Sequence, residues 1–443
     1  MGIEYGEKRS PFIDYGRPSL FLDFAKRKSL VDAISKNNLI TFTRSSTGTY
    51  VGSDGLIKVA SADEARFDHD PTTGESLGLL IEEQRTKIRN GVGYPLGSLS
   101  ATSSTDITAP DGTTSGIIKI TSPSFTNTSG FQQRSVDTSY FAHDVVQNTY
   151  YSSSVYVYAT GNTDSSRTAF LGTAGGGCLD SPGGPQLTSC GYIDGKDTIQ
   201  SSTNFTVTLP KNRWVRVFLN WRSGCTSATY RSAAQVRPLY WITNNSQNTN
   251  FINSDGNPVI YLWGATVETN YSTGSASFPT SYIYGNFVTR QPDNAQITGT
   301  NFTDWYNDTE GTIFTAFNNM QNSYSTLWAI GEVSATIRRI VYEKNKIIIR
   351  TDSGGGSTVL NHTLSNSNKS SVSYNSTEKK VYESLNGSSV LSSATHSESW
   401  ITASGFQIGA QQFFAAQLAN THIKQLLYYP TRLTNTQLQA LTQ

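Results

Sequence analysis

Three cysteines and two methionines are spread over 443 residues, and only 15% of the chain is charged. Three cysteines cannot make a disulfide framework. Cys178 and Cys190 flank a Gly/Pro-rich tip, "LDSPGGPQLTS", and the simpler expectation is reduced, incidental thiols. Lys and Arg number 34 against 33 Asp and Glu, so the basic face that releases counterions from phosphates is missing. No nucleic-acid partner is expected. The N-terminus, "MGIEYGEKRSPFIDYG", lacks an apolar core of secretory length, and no run elsewhere is long enough to span a bilayer, so membrane insertion is not expected either. The five histidines (His69, His143, His362, His396 and His422) show no metal-ligand spacing, and H-E-x-x-H, G-x-S-x-G, P-loop and dinucleotide fingerprints are all lacking. The expectation is therefore no cofactor and no metal.

What remains is Ser, Thr, Asn and Gly in quantity, with an aromatic share of 11% that includes 23 Tyr. β-Branched and aromatic residues suit a pleated surface, and Asn, Gly and Ser suit its turns. "GIIKITSP", "SSSVYVYAT", "NFTVTLP", "RWVRVFLNW" and "PVIYLWGATVE" each alternate with period two between turn-rich stretches. An all-β chain of tandem antiparallel β-sandwich or jelly-roll domains, after a small β-rich N-terminal block, is the fold this pattern predicts. The length predicts several domains. The pattern divides at 1–91 (a small β-rich block), 92–287 (a jelly roll), 288–308 (a connecting segment) and 309–443 (a second sandwich).

Local signals fix some details. Ser53-Asp54-Gly55 and Pro71-Thr72-Thr73-Gly74 read as hairpin turns. Lys26 to Lys36 reads as a short helix of imperfect apolar spacing. Thr434 with Gln437 three residues on matches a capping box, with Leu438 and Leu441 on one face of a closing helix. In "VIYLWGATVETNYSTGSASFPTSYIYGN", strict alternation puts Val259, Tyr261, Trp263 and Ala265 on one face. The aromatic-studded polar stretch after that strand reads as a packed seam anchored by Phe278, Tyr282 and Tyr284.

Taken together, "FTRSSTGTYVGSDGLIK", "ARFDHDPTTGESLGLLIEEQRT", "LWGATVE", "PTSYI" and "TRQPDNAQITGTNFTDWYNDTEGTIF" resemble a block order found in bacteriophage virion proteins of the tail-fibre and adhesin type. The resemblance implies a sugar-binding-module-like jelly roll ending in a WGA-x-x-E strand, with the PTSYI segment returning across its outside. "KKVYESLNGSSV", "FQIGA" and "IKQLLYYPTRLTNTQLQAL" make the last part resemble a concanavalin-A-like (laminin-G-type) sandwich, with Asn386-Gly387 as a strand-to-strand turn. Tyr284-Gly285 stands where a Pro-Thr step is common in that group. The resemblance implies a virion structural protein, a fibre or spike subunit made in the host cytoplasm and assembled on the particle. Its implied partners are a host cell-surface glycan and other virion proteins. The block 1–91 would carry the virion attachment, through its first ~38 residues.

Chemistry is sparse. "ADEARFDHDPTTGE" holds Asp63, Glu64, Asp68, His69, Asp70 and Glu75; lacking regular ligand spacing, these groups are expected to solvate a turn and pair with Arg66. A glycosidase needs two carboxylates about 5–10 Å apart, and the C-terminal block carries no E-x-D-x-E strand on which a glucanase of that fold would place them. The expectation is attachment without catalysis. A polysaccharide-degrading spike and an architectural head or neck fibre are the alternatives. Avidity favours a homotrimer. Alternation places Val155 and Val157 on one face of their strand and Tyr156 and Tyr158, about 7 Å apart, on the other. Tyr156, Tyr158 and Arg216 are the candidate carbohydrate-binding residues: two rings to stack on sugar C–H faces and a forked donor beside them. The competing expectation is that both tyrosines pack under a loop or against a neighbouring subunit. Trp214, Trp263 and Trp305 read as structural.

Overall fold

The computed structural model describes residues 15–90, 100–121, 149–160, 167–176, 186–195, 197–201, 206–222, 235–243, 259–270, 278–285, 287–318, 320, 325–331, 338–349, 358–396, 402–410 and 419–443. They form an all-β protein of antiparallel sheets with three short helices among the described residues.

One sandwich has sheets of eight and seven strands. The first runs Leu391–Ser392, Lys380–Leu385, Ser367–Asn375, Glu310–Asn318, Thr421–Tyr429, Ser76–Ile81 and Phe67–His69, with Leu20–Leu22 also on the Thr421–Tyr429 strand. The second runs Thr41–Thr43, Asn294–Thr298, Gly405–Ile408, Thr326–Gly331, Arg338–Glu343, Lys346–Ile349 and Thr358–Asn361. Strands from before position 91 and from 288–308 are thus hydrogen-bonded into the same sheets as those after 309. Leu22, Ile81, Ile297, Trp328, Tyr342 and Phe406 meet in the core between the sheets. Leu20, Leu22 and Phe24, within the first 38 residues, are fully buried in that core, and residues 1–14 lie outside the described residues.

The second unit is a nine-stranded sheet ordered Asp197–Ser201, Gln186–Asp194, Trp214–Arg222, Tyr150–Ala159, Val259–Asn270, Arg85–Asn90 and Val288–Arg290, with Ile117–Thr121 and Ser100–Ser104 branching from its fifth strand. A separate three-stranded sheet joins Thr206–Leu209, Arg167–Gly176 and Gln235–Thr243. Val155, Val157, Val217 and Leu262 are buried in the inner core of this unit, as the alternation predicts for the valines. Burial pushes the Cys190 thiol there up to about 12. Cys178 lies outside the described residues.

Local signals held where the physics is local. The closing helix Asn435–Leu441 has both bonds of its capping box, and Leu438 is buried on the outer face of the eight-stranded sheet. Asn386 and Gly387 have φ of 49° and 75°, the left-handed pair of a tight hairpin turn. The expected Lys26–Lys36 helix is instead a single turn, Phe24–Arg27, ended by Lys28 in the left-handed region. Alternation also fails at Gly264. The strand Val259–Asn270 slips register against its neighbour where Gly264, at φ 65°, forms a bulge. Tyr261 and Trp263 therefore face one way, and Ala265 and Val267 pack into the opposite core.

Candidate functional site

The outward face of the nine-stranded sheet is aromatic because its strands pair in one register. Tyr156 lies opposite Arg216 and Tyr158 opposite Trp214. The next strand brings Trp263 to 5.5 Å from Tyr156 and Tyr261 to 6.1 Å from Tyr158, between ring centroids. Tyr282 closes over them, 4.8 Å from Trp263. Gly264 permits this approach, since a Cβ there would stand 3.0 Å from the Tyr282 ring. The stretch after the strand is thus a seam. Phe278 packs edge-on against Phe218 and Tyr282 against Tyr284, although Tyr284 remains 39% exposed.

The seam is pinned by buried ions. Glu268 accepts bonds from the Thr280 amide and hydroxyl, at 3.1 and 2.8 Å, and pairs with Arg216 at 3.0 Å. Glu82 accepts from the Ser281 amide and hydroxyl, at 2.6 and 2.7 Å, and pairs with Arg66 and Arg290. Asp293 bridges Arg44 and Arg66. Lys87 donates to the Ile283 carbonyl and lies 4.4 Å from the Tyr282 ring centre; burial brings its ammonium down to about 8. Burial works against ionising Glu82, but Arg290 and Arg66 prevail and hold its carboxyl well below the usual range. The block order that marks the sequence thus coincides with this network. Arg44, Arg66, Glu82, Glu268, Arg290 and Asp293 sit in those blocks and join the two sandwiches through the seam.

Between the aromatic face, the hairpin of Gly48–Val51 and Ile57–Ala60, and the rim of the larger sandwich lies a cavity of about 720 Å³. Tyr156, Tyr158, Trp214 and Arg216 form one wall, with His69, Asn420 and His422 among the facing residues. The three candidate residues are therefore brought together. Tyr156 and Tyr158 are part-buried, under Tyr282 and beside Trp214 respectively. Arg216 is 5% exposed and stands 5.5 Å from the Tyr156 ring centre. Its guanidinium donates to Ser154, to the Thr280 carbonyl and to Glu268, so its fork is engaged in holding the seam.

The acidic cluster does not pair with Arg66 as expected. Asp63 accepts from the Arg44 amide, Asp70 caps the turn through the Thr72 and Thr73 amides, and Asp68 meets His422 at 2.6 Å. Among the described residues no group of three or more potential metal ligands converges. His422 and Asn420 were not anticipated in the site. No local pattern marks them, because they reach it only through pairing of strands some 350 positions apart, such as His422 with Leu80 and with Asp68. Trp214, read as structural, does bond the Thr108 carbonyl through its indole N–H, yet it also lines the cavity.

No family model matches the chain, and no curated protein matches it. Among solved structures it is similar to the carbohydrate-binding module CBM40 of a Ruminococcus gnavus IT-sialidase bound to α2,3-sialyllactose, at 14% identity over 30% of this chain and 83% of that one, with a TM-score of 0.26. It is also similar to the binding domain of botulinum neurotoxin DC in complex with rat synaptotagmin II, at 11% identity over 36% of this chain and 41% of that one, with a TM-score of 0.27. The same toxin domain in complex with SialylT gives 11% identity, 34% and 39% coverage, and a TM-score of 0.26. Likenesses this shallow assign no ligand to this chain.

Proposed function

We propose that the protein is a bacteriophage fibre or spike subunit that attaches to a host-surface glycan and performs no catalysis. The observation that carries this reading is the cavity of about 720 Å³ walled by Tyr156, Tyr158 and Trp214. Such rings offer stacking faces to a sugar, and a mostly apolar concavity with a few polar groups is the ordinary form of a small-ligand site. The resemblance in block order supports the virion setting. The carboxylates at the cavity have other duties: Asp68 accepts from the Val51 amide and His422, and Glu82 is held between two arginines. Neither is placed as one of a free acid and nucleophile pair, which disfavours a polysaccharide-degrading spike.

The further parts of the reading are assembly as a homotrimer and attachment to other virion proteins through the N-terminal block. Adsorption to host cells tests the whole. Wild-type protein should retain envelope polysaccharide on the cell without releasing reducing ends, and Tyr158→Ala, which leaves the buried ion pairs intact, should lose that retention. New reducing ends would establish the degrading spike instead. Full retention by a folded Tyr158→Ala protein would remove the cavity from the site. Antibody labelling of the virion should mark the tail rather than the capsid.

A further inference from the structure

We infer that the cavity selects a neutral, hydroxyl-bearing saccharide over an acidic one, and reads its hydroxyls through His69 and Asn420. This rests on the proposed glycan site and specifies the ligand class.

The charged side chains that line the cavity are already engaged within the protein. Asp68, Glu82, Arg213 and Arg216 line it, and each is matched within the protein. Asp68 accepts from the Val51 amide and meets His422 at 2.6 Å, and Arg213 has Asp194 at 2.5 Å. Glu82 has Arg66 and Arg290 at 2.6 and 2.8 Å, and Arg216 has Glu268 at 3.0 Å. An ionised ligand entering here would have to give up its water without meeting a free counter-charge among these lining groups, which is unfavourable.

Spare hydrogen-bonding capacity lies in two side chains. His69 and Asn420 are 4% and 8% exposed, and each keeps one ring or amide nitrogen, Nε2 and Nδ2, without a hydrogen-bond partner. Their other polar atoms define what these nitrogens can do. His69 Nδ1 lies 3.0 Å from the Val51 carbonyl, an acceptor, so Nδ1 carries a proton, and in that tautomer Nε2 is the acceptor. Asn420 Oδ1 accepts from the Glu83 amide at 2.8 Å, so its Nδ2 is the spare donor. One acceptor and one donor in the same cavity lining suit hydroxyl groups, which both give and receive. A carboxylate, which only receives, would leave Nε2 unmet. Asn420 is also held at φ 40°, the kind of strained backbone that tends to persist at binding positions.

Two substitutions remove these groups while sparing the structural bonds. His69→Asn keeps a donor near the Nδ1 position, and Asn420→Asp keeps the oxygen that accepts from Glu83. Binding of the full chain is measured by titration calorimetry against neutral hexose and N-acetylhexosamine oligosaccharides. A matching set uses the same backbones bearing uronic or sialic acid. The wild-type protein should bind neutral sugars at least tenfold more tightly than acidic ones, and each variant should weaken neutral binding by about tenfold or more. Preference for the acidic set overturns the inference, and this comparison needs no variant to fold. If Tyr158→Ala abolishes neutral binding while both polar variants retain it, the glycan site stands and the reading of hydroxyls by His69 and Asn420 falls. If wild-type protein binds neither set, both fall.

Discussion

The Arg66 guanidinium lies 2.5 Å from the Asp293 carboxylate with both side chains sealed from solvent, although 227 positions separate them in the chain. Arg44 holds the other oxygen of the same carboxylate. The arrangement joins the hairpin region, the strand leading to Glu82 and the start of the larger sandwich at one point.

Asp293→Ala would leave both guanidinium groups buried beside a missing partner. Removing one member of a buried pair costs about 3–5 kcal/mol, because the remaining charge is uncompensated. Denaturant unfolding should show a loss of that size; a loss under about 1 kcal/mol would mean that water reaches the network and screens it.

Acid should loosen the same network. Glu82 is held well below the ordinary carboxylate value, so its folded form binds its proton later than its unfolded form. Its contribution is present in full above the unfolded value of about 4.5 and is lost as pH falls below it. The melting temperature of the wild type should drop below that pH more steeply than that of Glu82→Gln. Parallel curves would contradict the assignment.

Lys87 predicts the opposite slope at alkaline pH. Burial lowers its ammonium from 10.5 to about 8, so between those values the unfolded chain binds a proton the folded one has released. Folding is then favoured as pH rises through that window. Burial also pushes the Tyr282 hydroxyl up to about 12, and it counteracts the gain above 10, its ordinary value. The difference in stability between wild type and Lys87→Met should therefore shift towards the wild type from about pH 8 to 10. A flat difference would show that Lys87 stays charged.

How much of this the sequence disclosed depended on how local each feature was. The Thr434–Gln437 box and the Asn386–Gly387 turn are decided within four residues, and both formed. The two faces of Tyr150–Ala159 followed from alternation alone. Alternation could not foresee the bulge at Gly264, and so it put Ala265 on the wrong side. Nor could it choose strand partners. Leu20 pairs with Tyr428, and Asn420 reaches the cavity, through contacts spanning nearly the whole chain. Burial of charge was equally hidden: nothing local to Glu82 or Arg290 marks either as an interior residue, because each is buried only by partners distant in sequence.

Gly264 gives a sharper local test. At φ 65° with the Tyr282 ring 3.0 Å from where a Cβ would stand, Gly264→Ala combines backbone strain with a clash. A cost of about 1–3 kcal/mol is expected, along with a change in near-ultraviolet dichroism as Trp263 and Tyr282 part. An unperturbed variant would mean that the seam does not rely on this approach.

The location of a bound sugar decides the central claim. Crystals of the full chain grown with oligosaccharides from the host envelope should show the sugar in the cavity beside Tyr158 and Trp214, with its glycosidic bonds intact. Sugar bound on the larger sandwich, or a cleaved product in the cavity, would contradict it.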